Sequence, residues 1–144
     1  MTDQKPVIET DHGQIPLDDL PEILPGLPRI MAELSDRFWI LYYAAERGNW
    51  DLAQYQVTVA RSLLHAAGLT SSEALTDKLE SFSRSHLSAI ADSIEEQDLS
   101  TFKDVFNRAI ESANQFHKAT GVPYIHWTLP SYPPEHLKLS HQQE

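Results

Sequence analysis

The feature that most constrains the fold is a helical spacing of apolar residues, which repeats in four successive stretches of the chain. In each stretch apolar side chains recur at steps of three and four residues, so that one face of a helix is apolar and the other is polar. The four predicted helices cover about residues 29–47, 50–67, 70–98 and 100–120. No alternating pattern typical of a β-strand competes with this periodicity.

The residues between these stretches have the chemistry of helix ends. Gly48 and Gly121 supply left-handed stops, and Asn49 is a good N-cap for the second helix. Thr70 followed by Glu73 predicts a capping box at the start of the third helix. Because short links force neighbouring helices to run antiparallel, the sequence predicts an all-α, up-down-up-down four-helix bundle over residues 29–121.

The two ends of the chain lack this periodicity. Residues 1–28 contain five prolines and are predicted to form an irregular arm, since each proline removes a backbone donor. Residues 122–144 are rich in proline and aromatic residues and cannot continue the fourth helix. Because this tail is too apolar to be free in solvent, we expect it to pack on the bundle.

Composition excludes several classes of function. The net charge of −10 argues against a nucleic-acid partner and against an anionic membrane surface. The chain has no cysteine, which excludes disulfides, thiolate catalysis and cysteine-ligated metals. No apolar stretch approaches the roughly 20 residues of a membrane span, and no signal-like N-terminus is visible, so we expect a cytoplasmic protein. Because no motif of nucleophilic or metal-assisted hydrolysis occurs, we expect binding rather than catalysis.

The helix register places several candidate ligands at one depth of the predicted bundle. With a rise of about 1.5 Å per residue, Met31, His65, Glu80 and His117 should all lie within about a turn of one level. His65, Glu80 and His117 are therefore a candidate small metal site. The alternative for His117 is structural, because a histidine in the last turn of a helix interacts favourably with the free carbonyls there.

A family resemblance appears at the stretch "AIESANQFHKATGVPY". A helical bundle with a histidine close to the end of its fourth helix resembles the cytochrome c-prime-like proteins, and "GNWDLAQYQ" is similar to the corner between helices 1 and 2 of small haem-associated proteins. Those proteins bind haem through a C-x-x-C-H motif, which here reads "ANQFH" over residues 113–117. Without the two cysteines, the resemblance implies a non-covalent haem held by His117 and Met31. Phe116 then either lines the haem pocket or fills it.

His86 lies on the apolar stripe of the third predicted helix. A buried imidazole needs a hydrogen-bond partner, and Tyr42, Tyr43 and Tyr55 are candidates for that role. The alternative is that His86 is a distal group beside a bound ligand.

Aromatic residues are concentrated on the first helix and its exit corner, at Phe38, Trp39, Tyr42, Tyr43 and Trp50. Either the arm and the tail cover this face, or it forms a homodimer interface, because large apolar patches are seldom left bare. The sequence thus predicts a non-catalytic bundle that binds haem or another small planar ligand. The alternative is a cofactor-free bundle that acts in self-association or binds a protein partner.

Overall fold

The computed structural model describes residues 4–140 of the 144-residue chain. The protein is mostly helical, which confirms the helical prediction in its general form. A two-stranded antiparallel sheet precedes the long helices, so the chain is not purely α-helical. The parts of the predicted arm and tail that fall on residues 1–3 and 141–144 lie outside the described residues.

The predicted irregular arm is wrong in its local structure, because it contains a β-hairpin. Strands β1 (Val7–Thr10) and β2 (Gly13–Pro16) pair in antiparallel register, with Val7 opposite Pro16 and Thr10 opposite Gly13. A 3-10 turn and the short helix α1 (Leu20–Ile23) follow. The hairpin tolerates its prolines because Pro6 precedes β1 and Pro16 is the last residue of β2, so both lie at the end of the ladder.

Five longer helices form the body of the protein. They are α2 (Leu27–Glu46), α3 (Trp50–Leu69), α4 (Glu73–Phe82), α5 (Ser88–Glu95) and α6 (Leu99–Ala119). A π-helical turn over Ser83–Leu87 joins α4 to α5, so these two helices form one continuous helical run. The third predicted helix therefore exists, but it contains one wide turn. Such turns are rare and are often found at functional sites.

Helix starts are fixed by short polar side chains. The Asn49 side chain accepts a hydrogen bond from the Leu52 amide, which confirms it as the cap of α3. The predicted capping box at Thr70 is wrong, because Ser72 caps α4 and accepts from the Leu75 amide. The Thr70 hydroxyl instead donates to a carbonyl in the last turn of α3.

One hydrophobic core is shared by the five longer helices. α2 packs on α3 and α6, α3 packs on α4 and α5, and α5 packs on α6. The largest fully buried side chains are Phe102, Phe106, Leu41, Leu87, Ile90 and Val57. No residue of the described hairpin is buried, so the arm contributes little to this core. Among residues 4–140, no helix combines the length and the apolarity that crossing a membrane requires.

The C-terminal tail returns over α2 after α6 ends. Gly121 has a φ of 84°, a left-handed conformation that suits glycine and reverses the chain. The Trp127 ring then packs on Phe38 and Phe106, with ring centroids 6.3 and 6.5 Å apart. Near the end of the described chain, the Asn49 side-chain amide donates to the Leu139 carbonyl at 2.9 Å.

Candidate functional site

Two surface grooves flank the continuous helical run that contains the π-helical turn. The arginine groove is lined by Arg61, Leu64, His65, Leu79, Glu80, Ser83, Arg84 and Ser88. The histidine groove is lined by Lys78, Ser81, Phe82, Ser85, His86, Ser112 and Phe116. Successive pairs of residues alternate between the two grooves, so the same helical run supplies one wall of each.

The histidine groove brings together two of the residues that the sequence predicts for a ligand site. His86 comes from the π-helical turn and Phe116 from α6. The Phe82 ring lies against His86, with centroids 5.0 Å apart and planes tilted by 43°. The Lys78 ammonium lies 5.8 Å from the centre of the Phe116 ring, a cation–π distance. Two aromatic rings and one cation thus line the same groove as the imidazole.

His86 is not the hydrogen-bonded core histidine that the sequence allows. It is half-buried, and within residues 4–140 its ring has no hydrogen-bond partner, so none of the candidate tyrosines reaches it. Burial lowers the pKa of His86 below its ordinary value, which favours the neutral imidazole near pH 7. A neutral imidazole offers one donor and one acceptor. Both are available to a molecule bound in the groove.

Hydroxyl groups complete the lining of the histidine groove. Ser81, Ser85 and Ser112 line it together, and no acidic residue does. This lining is notable in a chain that has 21 acidic and 11 basic residues. The groove measures about 190 Å³. It therefore offers hydrogen-bond donors, one positive charge and aromatic surface without a competing carboxylate.

The arginine groove lies on the opposite side of the same helical run. Arg61 comes from α3, and its Nη2 donates to the Ser88 hydroxyl at 3.4 Å. Leu64 and Leu79, only 4% and 5% exposed, form an apolar floor. Arg84 lies on the π-helical turn, and neither it nor Arg61 forms an ion pair within the described part of the chain.

The predicted metal site is not formed. His65 and Glu80 do line the arginine groove, but His117 does not. Among residues 4–140, no group of three His, Asp or Glu side chains could hold a metal ion. The reason is that His65 and Glu80 line the groove where α3 packs on α4, whereas His117 contacts the tail.

His117 fastens the start of the tail to the end of α6. Its Nδ1 lies 3.0 Å from the Ile125 carbonyl oxygen, a hydrogen-bond distance. Met31 is half-buried and packs against the hydrophobic core. Neither Met31 nor His117 lines either groove, so the residues predicted to hold a haem iron are not gathered there.

The aromatic face of α2 is covered by the tail of the same chain. The Trp39 indole donates to the Tyr132 carbonyl at 2.8 Å, and its ring meets the Tyr132 ring edge-on at 5.7 Å. The Tyr43 hydroxyl donates to the Pro130 carbonyl at 2.8 Å. Burial raises the pKa of Tyr43, with a smaller contribution from Glu46. Of the two alternatives for this face, the structure has the tail packed on it, and the homodimer stays a prediction.

No match to this chain was found among protein-family models, among curated proteins or among solved structures. The resemblance to cytochrome c-prime-like proteins therefore remains a prediction.

Sequence reasoning did not single out Lys78 and Phe82 as site residues. A signal for them was present, because Lys78, Phe82 and His86 follow one another at four-residue steps and so share a helix face. The contribution of Ser112 on α6 had no such signal, since it depends on how α6 packs against α5.

Proposed function

We propose that this protein is a non-catalytic, ligand-binding helical protein that binds a small planar aromatic anion in the histidine groove. The observation that carries the proposal is the meeting of His86 and Phe116, from two different helices, beside Phe82 and Lys78. Aromatic rings provide stacking surface for a flat ligand. The Lys78 ammonium and the serine hydroxyls provide donors for a carboxylate.

The size and chemistry of the groove define the ligand class. Its volume of about 190 Å³ is below that of sites for drug-sized molecules, which favours a ligand of one or two rings. A negative group on that ligand would lie near Lys78, which forms no ion pair within the described residues. The ring would lie between Phe82 and Phe116, with the neutral imidazole of His86 at its edge.

Binding is favoured over catalysis by the surroundings of His86. A serine nucleophile is activated when a base accepts a hydrogen bond from it and a third group orients that base. Three serines share the groove with His86, yet none is hydrogen-bonded to it and no carboxylate lines the groove. These side chains support contact with a ligand rather than proton transfer.

The test is calorimetric titration of the purified protein with 2-naphthoate. We expect saturable one-to-one binding that weakens about tenfold in Phe116→Ala and in His86→Ala, the loss of roughly 1.4 kcal/mol in each case. Lys78→Gln should remove the preference for naphthoate over the neutral 2-naphthalenemethanol. His126→Ala and Lys118→Gln are matched controls, because both residues are exposed and lie outside the groove. Equal binding by His86→Ala and His126→Ala, or no saturable heat, would refute the proposal.

We also infer that the scaffold of this site is an antiparallel four-helix bundle. Its four members would be α2, α3, the continuous α4–α5 run and α6. Links of three residues, over 47–49, 70–72 and 96–98, support opposite directions for successive members. The contacts of α2 with α3 and α6, together with those of α3 and α6 with the α4–α5 run, support a closed ring of neighbours. Paramagnetic distance measurements between introduced cysteines would test this arrangement.

One observation favours a second candidate function, non-covalent haem binding at the His117 end. Histidines that ligate a metal usually donate their other ring N–H to a carbonyl or carboxylate, and His117 Nδ1 has such a partner in Ile125. This leaves Nε2 for an iron, with Met31 proposed as the second ligand and Phe116 beside it, as the resemblance to cytochromes implies.

A hemin titration tests the haem candidate. A saturable Soret band that is lost in His117→Ala, shifted in Met31→Ala and unchanged in His65→Ala would support it. A titration without a Soret shift would leave His117 with its structural role, which is to hold the tail on α6.

A further inference from the structure

We propose that the arginine groove is a second binding site, and that it binds the phosphate group of a small phosphomonoester. This site goes beyond the proposed function, because its residues lie on the opposite side of the α4–α5 run from the histidine groove. Neither proposal depends on the other.

The two arginines of this groove have no carboxylate partner among the residues that the structure describes. Within residues 4–140, Arg61 and Arg84 form no ion pair, whereas Arg37 is paired with Glu33 and Lys103 with Glu46. Two guanidinium groups that line one groove repel each other, and a bound anion would remove that repulsion. The missing partners are notable because acidic residues outnumber basic residues by 21 to 11 in this chain.

The donors come from both walls of the groove. Arg61 reaches from α3 to the Ser88 hydroxyl, and this single bond leaves the rest of its five N–H donors available. Arg84 and Ser83 face it from the π-helical turn, and His65 lies one helical turn beyond Arg61. A phosphate dianion presents three terminal oxygens in a tetrahedral arrangement and accepts bonds from several directions, whereas the two oxygens of a carboxylate lie in one plane. Two guanidinium groups with hydroxyls between them therefore match phosphate better than carboxylate.

The apolar floor of the groove offers a surface for the organic part of the ligand. The groove measures about 240 Å³ and is floored by the buried side chains of Leu64 and Leu79. A small apolar group on the phosphate ester would lie on these leucines and be removed from water.

Glu80 is the one acidic residue that lines the arginine groove. It lies four residues before Arg84 on the helical run, where an ion pair is geometrically possible, yet no such ion pair is formed. Its charge would oppose a bound anion. Removal of the Glu80 charge should therefore tighten the binding of phosphate.

The experiment is calorimetry of the full chain with inorganic phosphate and with butyl phosphate, at constant ionic strength. We expect saturable binding, tighter for butyl phosphate, that weakens about tenfold or more in Arg61→Gln and in Arg84→Gln, since hydrogen bonds to charged groups contribute roughly 1.5–3 kcal/mol. Glu80→Gln should bind severalfold more tightly. Arg61→Lys should recover only part of the affinity, because an ammonium lacks the planar fork of a guanidinium.

Arg29→Gln is the matched control, because Arg29 is exposed, has no ion pair within residues 4–140 and lies outside both grooves. Phosphate binding should also be unchanged in Phe116→Ala, which separates this site from the histidine groove. The proposal is overturned if the native chain shows no saturable phosphate binding. It is equally overturned if Arg61→Gln and Arg84→Gln bind phosphate as Arg29→Gln does.

Discussion

Asn114 is the residue whose replacement should most clearly test how the tail is held. It lies on α6 and is only 8% exposed. Its Oδ1 accepts from the Trp127 amide at 2.8 Å, and its Nδ2 donates to the Trp127 carbonyl at 3.0 Å. One side chain therefore satisfies both backbone groups of the residue that anchors the tail. The Trp127 indole also donates to the Ser35 hydroxyl on α2, so the anchor joins α6 to α2.

The magnitude of the effect of Asn114→Ala follows from these two hydrogen bonds. Each contributes about 1 kcal/mol net to the free energy of unfolding, so the loss of both costs about 2 kcal/mol. Alanine recovers about 0.6 kcal/mol through its higher helix propensity. The variant should therefore be destabilised by about 1.4 kcal/mol, which corresponds to a fall in Tm of roughly 4 °C for a chain of this length.

Asn107→Ala provides the matched control, since Asn107 lies on the same helix but is exposed. Asn107→Ala should gain only the stability that comes from the higher helix propensity of alanine, so the free energies of unfolding of the two variants should differ by about 2 kcal/mol. Urea unfolding followed by circular dichroism measures this difference, and tryptophan emission reports whether the tail is released. Equal stabilities for the two variants, with no red shift in Asn114→Ala, would refute the proposed anchoring of the tail by Asn114.

Three further outcomes are expected from the caps and the titrating groups. Asn49→Asp keeps the helix cap but loses the donor to the tail, so urea unfolding should show it to be about 1 kcal/mol more stable than Asn49→Ala. Burial lowers the pKa of His86 in the folded chain, so as the pH falls the unfolded chain binds a proton at His86 at a higher pH than the folded chain does. Urea midpoints should therefore fall as the pH drops below about 6.5. His86→Gln should make this dependence of the midpoint on pH less steep. The hydrogen bond from the Thr101 hydroxyl lowers the pKa of Asp98 in the folded chain. The ionised Asp98 therefore stabilises the folded state fully above about pH 3.9, and this contribution is lost as the pH falls through the lower folded-state pKa. An acid titration of Asp98→Asn should lack that component, and an unchanged acid transition would contradict the assignment.

Helix positions were predictable because they depend on local spacing. The second predicted helix, over about residues 50–67, corresponds to α3 (Trp50–Leu69), and its cap at Asn49 was predicted from residue type alone. Errors occurred where two local signals competed. Thr70 and Ser72 are both good caps, and only the path of the chain out of α3 decides that Ser72 is used.

The candidate sites were only partly predictable. His86 and Phe116 stood out in the sequence, but nothing in their spacing indicated that they line the same groove. His65, Glu80 and His117 were grouped by depth along the predicted helices. Depth fixes the level of a residue and not the side of the helix on which it lies, which is why His117 is absent from the groove that holds the other two.

The sequence by itself determined which segments are helical, which face of each is apolar and where several of them stop, because these properties depend on residues within a few turns of one another. Only the tertiary structure decided that a π-helical turn divides the third predicted helix, and that the tail covers the aromatic face of α2. It also decided that Arg61 and Arg84, which form no ion pair within residues 4–140, line one groove while His86 lines the other. These features depend on contacts between residues far apart in the chain, such as Trp39 with Tyr132. The free energy of such contacts exists only once the helices have packed.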